Sequence, residues 1–511
     1  MEAVPSCTLD ELIWEVRQYR PPDVLSAVRD WSEKLEDYTT RHGNQPMFVR
    51  LPKRVSYHGL HQTIAVTHHF LTMIAKLSLL NGHVLSSGSM NEDRFLRLLR
   101  MATELYDPAD KGQPEKIIFR EINKQAPYQE EFWQAIPRAL LLYLDANARL
   151  PNPEFDIDAE FKAHFGLDVR TFLTLGFLLY AQFISERAFY PLLGWRSTVP
   201  AVRELGIMTR ENVEALLRLV AADQQKFKDE SLKRAASGTG NDQYDWNAFF
   251  KFPVIDIGNG NHVLPLSRLL IYRLHDAPFH ELADLHQGQG GENPFRAFFG
   301  NVFQEYIGLL LDDAFPSQAQ REAGGPPVDW LVRVRDAALL IECRSQDFKI
   351  ETKSKGDRSL IEHDLGRIAR DVVEKLPRKK ESLASRALEF GLEDAQSWHY
   401  LVVVRNPLVP VPLVRAKIDS LLTRPVPYHL LSVGDFEQLL ALEDTVGVER
   451  VLADKAQSPD ELGKDFRSFF HERRNQYRFR RNPLLQRTFD AYFEGLLQSR
   501  RPGPKASPPA R

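Results

Sequence analysis

The sequence predicts an α/β domain with a central mixed sheet flanked by helices, preceded by a large, mostly α-helical domain. Three observations carry that prediction. Residues 1 to about 245 repeat apolar side chains at three- and four-residue intervals with little β-branched alternation. Residues 250–445 mix strand-like apolar runs with amphipathic stretches. Within them, two short apolar runs around a polar break end in Glu342-Cys343-Arg344.

The bulk properties set the frame. The chain has 511 residues, enough for two or three cored domains, with 43 % hydrophobic and 26 % charged residues. Two cysteines, Cys7 and Cys343, exclude a disulfide framework and fit a reducing, cytoplasmic setting. The first residues carry neither a basic nor an apolar segment of secretory type. The longest apolar stretch, 171–184, includes Gln182 and is shorter than the about 20 residues of a membrane span, so it predicts a buried core helix and no membrane partner. A net charge of −3 gives no global attraction to polyanions, so any nucleic-acid contact must come from local basic patches.

Taken in order, the helical region opens with Leu9, Leu12, Ile13 and Val16 on one face, and prolines punctuate it down to Pro153. Its role is open; it is a candidate surface for a protein partner. The polar stretch 224–245 predicts a helix end and then a flexible linker, and so a boundary. Beyond it, 252–257 and 262–265 predict a hairpin closed by Gly258-Asn-Gly-Asn261. A short helix from Ser267, its expected cap, to about His275 follows. The face Phe295, Phe299, Val302, Phe303, Tyr306 and Leu310 predicts a helix over 295–314. Runs 328–334 and 338–341 predict a second hairpin, 359–376 and 378–392 two helices, 399–404 and 428–433 strands, and 434–442 a helix.

A basic, aromatic-rich segment occupies 446–500, and a Pro/Gly/Ser-rich tail, expected to be disordered, ends the chain at 501–511. Between 466 and 501 nine arginines face three acids, interleaved with aromatics. Two readings stay open. Arg473, Arg474, Arg478, Arg480 and Arg481 follow a nucleic-acid backbone while the rings stack on bases; or the rings dock on the protein and the arginines meet water.

The chemistry centres on the second hairpin. Asp329 opens one strand and Glu342 ends the next, so two carboxylates can converge on one hard divalent cation. Strand alternation puts Arg344 on the face of Glu342, where a cation can orient water; the Cys343 carbonyl is a further oxygen. Glu305, at the margin of the 295–314 apolar face, offers a carboxylate from a third element. Arg367 and Arg370 on the next helix suit phosphate contact. His58, His61, His68 and His69 fall within twelve residues, and packing or surface roles are the simpler reading of them.

Residues 298–305, 328–332, 339–345 and 399–404 together resemble the PD-(D/E)xK nuclease superfamily over roughly 250–445. The resemblance implies a restriction-endonuclease-like αβββαβ core and Mg²⁺- (or Mn²⁺-) dependent hydrolysis of phosphodiester bonds in nucleic acid, DNA favoured. It implies Asp329 and Glu342 as metal ligands, joined by Glu305, and a home in bacterial defence or mobile-element biology. Two departures stand out: the proline is Pro327, one residue early, and Arg344 occupies the lysine position. A guanidinium is planar and forked and is not an equivalent water-positioning group to an ammonium, so in the catalytic reading Arg344 orients water or stabilises the pentacoordinate phosphate. Lys349, Lys353 and Lys355 are candidate replacements. The alternative implied is a nuclease fold without turnover that binds nucleic acid or protein.

Overall fold

A computed structural model describes residues 7–42, 46–56, 62–83, 85–105, 113–129, 132–185, 190–191, 206–288, 293–321, 327–478 and 480–498. The N-terminal region is helical, as its periodicity predicts. Its first helix, Leu9–Val16, begins where the Thr8 hydroxyl accepts from the Glu11 N–H at 3.3 Å and Glu11 answers the Thr8 N–H at 2.9 Å. The apolar stretch forms the helix Val169–Ser185, one side of which is buried. Among the described residues no single helix is long and apolar enough to cross a membrane. A small antiparallel pair, Met47–Arg50 with Thr63–Val66, was not evident from the sequence.

The stretch expected to be a flexible linker is pinned instead. Asp223 caps the helix Gln224–Lys233. Beyond it the Ser237 N–H donates to Asp245 at 2.9 Å, and the buried ammoniums of Lys76 and Lys124 donate to the carbonyls of Asp242 and Asp245. Two buried lysines spent on loop carbonyls make this a fixed wall. Accordingly, one hydrophobic core runs from Ile136 through Phe303 and Leu401 to Tyr492, joining residues on both sides of 245.

The first predicted hairpin forms as β1 (Val254–Gly258) and β2 (Asn261–Val263), its turn using left-handed φ at Gly258, Asn259 and Gly260. It belongs to a separate small sheet with Tyr190–Pro191 and Ala221–Ala222. Helix α1 (Ser267–Leu285) runs well past the expected end, through Pro278; its cap position is Leu266, so Ser267 is already helical. Asn293 caps α2 (Pro294–Ala314).

The main sheet has five strands: β3 (Ala319–Arg321), β4 (Trp330–Val334), β5 (Ala337–Arg344), β6 (Ser397–Val404) and β7 (His429–Ser432), in the order β7-β6-β5-β4-β3. It is mixed: β3, β4 and β5 are antiparallel neighbours, whereas β5, β6 and β7 run parallel. Helices cover both faces. Leu339, Ile341, Cys343 and Val403 share a core with α2, while Ala338, Leu340 and Val402 face the segment after β5. That segment is α3 (Arg358–Arg367), a π turn at Ile368–Val372, a 3₁₀ turn at Val373–Lys375, and α4 (Leu376–Ser385). The single helix expected over 359–376 is thus broken at its end. Val411–Ser420 forms α5, and α6 (Val433–Leu440) starts from a Ser432/Asp435 capping box. A buried, doubly bonded pair, Arg138 with Glu437 (2.7 and 2.6 Å), ties the helical region to α6, and the Tyr306 hydroxyl on α2 donates to the same carboxylate.

Candidate active site and adjoining cavity

Two packing features set Asp329. The Trp330 indole N–H donates to the Gln304 carbonyl at 2.9 Å, and the Gln304 amide donates to the Asp329 carbonyl at 3.3 Å. Gly308 makes that approach possible, since a Cβ there would lie 2.3 Å from the Trp330 ring. Asp329 therefore stands at the mouth of β4 against α2. Its Oδ2 accepts from the Cys343 N–H at 2.6 Å, which clamps β4 to β5.

Alternation along β5 turns Glu342 and Arg344 toward the α3–α4 side. The Arg344 guanidinium then reaches both acids, at 3.2 Å from Asp329 Oδ2 and 3.2 Å from Glu342 Oε2. Its Nη1 also donates to the Cys343 carbonyl at 2.6 Å. The other Glu342 oxygen accepts from Lys379 of α4. Glu342 is 1 % exposed. Burial, reinforced by Asp329, pushes its carboxyl above the usual range, against the downward pull of Lys379 and Arg344. Burial likewise raises the Cys343 thiol.

Asp329, Glu342, Cys343 and Arg344 are thus brought together, but Glu305 is not part of the group. It is buried and pairs with Arg321 of β3 at 2.7 Å, and burial raises its carboxyl. One helical position separates it from Gln304, the side chain that α2 presents beside Asp329. Among the described residues no group of three or more His, Cys, Asp or Glu is arranged to hold a metal ion. Asp329 Oδ2, both Glu342 oxygens and the Cys343 carbonyl already accept from protein N–H groups, mostly cationic. As arranged, this set does not fit Mg²⁺ or Mn²⁺, which need open oxygen ligands. Nor do the candidate replacement lysines reach it: Lys349 lies 3.8 Å from Asp364, Lys353 pairs with Asp347 and Lys355 with Glu351. Lys379 is the cation that sequence reasoning missed.

Asp329, Cys343 and Arg344 open onto a cavity of about 1010 Å³, walled by α1, α2, the loops after β5 and β6, Lys124 of the helical region, and Trp246 and Phe250 just before β1. Ten of its lining residues are Lys or Arg, against five Asp or Glu. Arg296 and Arg367 have no carboxylate within ion-pair distance among the described residues. Arg367 thus lines the cavity, whereas Arg370 does not. Arg405, just past β6, is 3 % exposed, yet its Nε and Nη1 have no hydrogen-bond partner. Its guanidinium lies over the Phe279 ring at 3.9 Å and 3.5 Å from Asp276. Burial acts to raise Asp276, but Arg405 and the hydrogen bonds from His275 and His280 together outweigh it, holding the carboxyl well below its ordinary value. Burial pushes the Lys124 ammonium down to about 7, with Lys76 adding repulsion.

The C-terminal arginines lie away from this cavity. Arg473 pairs with Glu461 at 3.0 Å, Arg474 contacts His471, Arg481 packs over Trp133, and Arg478 and Arg480 are exposed. Phe466, Phe469, Phe470 and Tyr477 are buried in the core, so these rings are not available to stack on bases. Of the histidine cluster, His68 bonds Glu36 and His69 is buried, its pKa pushed to about 3 by burial and by Lys124 and Lys76. His58, His61 and the 501–511 tail lie outside the described residues. No protein-family model, curated protein or solved structure matches the chain.

Proposed function

We propose that this protein binds nucleic acid, DNA in the first instance, in the basic cavity beside β5, on a restriction-endonuclease-like domain whose hydrolytic centre is closed by cations. The observation that carries the reading is the lining of the cavity: ten basic against five acidic side chains in a chain of net charge −3. Concentrating cations in one concavity of an otherwise balanced protein is what a polyanion site requires. The order α2, β3, β4, β5, α3–α4, β6 supports the nuclease-like frame.

The Asp329–Glu342–Arg344–Lys379 cluster favours binding over cleavage. In it the two acids neutralise two cations, and the cluster joins β4, β5 and α4. The test is a gel-shift and cleavage assay run side by side on single- and double-stranded DNA, with Mg²⁺ and with Mn²⁺. The expected result is retarded, uncut DNA with the wild-type protein and with Asp329→Ala. Metal-dependent cuts made by the wild type and lost in both Asp329→Ala and Glu342→Ala would replace this reading with a working nuclease.

A further inference from the structure

We infer that the cavity takes unpaired nucleotides, a single-stranded segment rather than an intact duplex. This rests on the nucleic-acid reading above and adds which form of DNA enters.

The argument starts from rings that the cation cluster does not use. Trp246, Phe250 and Tyr272 all line the cavity and are each only half-buried. They form a chain, with centroids 6.5 Å apart between Trp246 and Phe250 and 5.6 Å apart between Phe250 and Tyr272. The planes are inclined at 68° and 58°. Rings at such angles cannot extend the parallel stack of a duplex, but each can meet a base that has left one. Arg234 lies over the Trp246 ring at 5.0 Å and is itself paired with Glu230 at 2.6 Å, which fixes that face.

The second observation is Arg405. A guanidinium that is 3 % exposed and lines a cavity, with Nη1 3.5 Å from Asp276 and Nε left without a hydrogen-bond partner, is an incomplete arrangement. Buried donors of this kind are normally satisfied, and a phosphate oxygen or a base carbonyl supplies the missing acceptor. The third is size. About 1010 Å³ matches the upper end of pockets that enclose small-molecule ligands, roughly 300–1,000 Å³. That is room for a few nucleotides. A duplex shields its base faces by stacking and offers the rings nothing.

Fluorescence anisotropy at 150 mM NaCl tests this with a labelled 12-nucleotide single strand and the blunt duplex of the same sequence. The single strand is expected to bind at least about tenfold more tightly. Tyr272→Leu and Trp246→Ala are each expected to weaken it about tenfold, the scale of one lost base–aromatic stack, and to leave duplex binding unchanged. Trp246 and Phe250 also pack against the core, so a second measurement uses the unaltered protein: photocrosslinking to a single strand carrying 5-iododeoxyuridine, with adducts mapped by mass spectrometry. Adducts on Trp246, Phe250 or Tyr272 support the inference. Equal affinity for both forms, with adducts confined to other surfaces, overturns it and leaves general nucleic-acid binding in place. Binding to neither form overturns both.

Discussion

Replacing Lys379 with methionine probes the cation-closed centre. Glu342 is 1 % exposed and has two cationic partners, Lys379 and Arg344, whose side chains are 22 % and 31 % exposed. Breaking a fully buried pair costs about 3–5 kcal/mol when the remaining charge is left alone. Here Arg344 stays and Lys379 is partly solvated, so the loss is closer to that of a charged hydrogen bond, about 2 kcal/mol. For a cooperative unit as large as the core shared from Ile136 to Tyr492, that lowers Tm by about 2–4 °C near pH 7.5. The pH dependence has a definite sign. The folded-state pKa of Glu342 is already raised above 4.5, so its contribution is complete below that pH and declines as pH rises through the raised value. Removing Lys379 raises it further and deepens the decline. The gap in Tm between Lys379→Met and wild type should therefore be small near pH 5 and grow toward pH 7.5, with Lys379→Arg restoring most of it. Differential scanning fluorimetry across that range measures it. A gap that is constant with pH, or larger in acid, would show that Glu342 is not the group Lys379 serves.

Other perturbations follow from the same contacts. Gly308→Ala drives a methyl into Trp330 and should cost about 1–3 kcal/mol by overpacking, read as a lower Tm with weaker DNA binding, because Trp330 anchors the segment bearing Asp329. Glu437→Gln removes one charge from the buried pair with Arg138 and should cost about 3–5 kcal/mol, lowering Tm without a metal- or DNA-dependent component. Arg478→Gln with Arg480→Gln, exposed and remote from the cavity, should change DNA affinity by less than about threefold in anisotropy titrations; a larger loss would place part of the interface on the C-terminal segment. Arg344→Lys should leave the protein without metal-dependent cleavage, since Lys379 still occupies Glu342; cleavage gained in Mn²⁺ would mean that the guanidinium alone holds the centre closed.

The strands of the second hairpin and the side of the sheet that Glu342 and Arg344 share were legible in the sequence, because alternation and a short polar break leave little freedom of register. The helical character of the N-terminal region and the mixed sheet flanked by helices were legible for similar reasons of period. Lys379 was not: it lies 37 residues from Glu342 and meets it only through the packing of α4 on the sheet, past a π turn that no periodicity marks. Glu305 and Gln304 differ by one helical position, about 100° of rotation, which margin-of-face reasoning does not resolve. The cavity is made jointly by Lys124, Trp246 and Phe250 and by residues after β5 and β6, so no local window contains it. The same limit hid the fate of the 466–477 aromatics, whose burial depends on a core shared with Ile136 and Leu401.

The salt dependence of DNA binding tests the central claim most directly. Each cation that neutralises a phosphate contributes about −0.7 to the slope of log K against log salt on a single strand. Neutralising Arg296, Lys349 and Arg367 to glutamine, three cations that line the cavity, should make the slope shallower by about 2 and weaken binding at 100 mM NaCl, with Tm little changed. A triple variant that keeps both the wild-type slope and the wild-type affinity would contradict the account, since the polyanion would then be held somewhere other than this cavity.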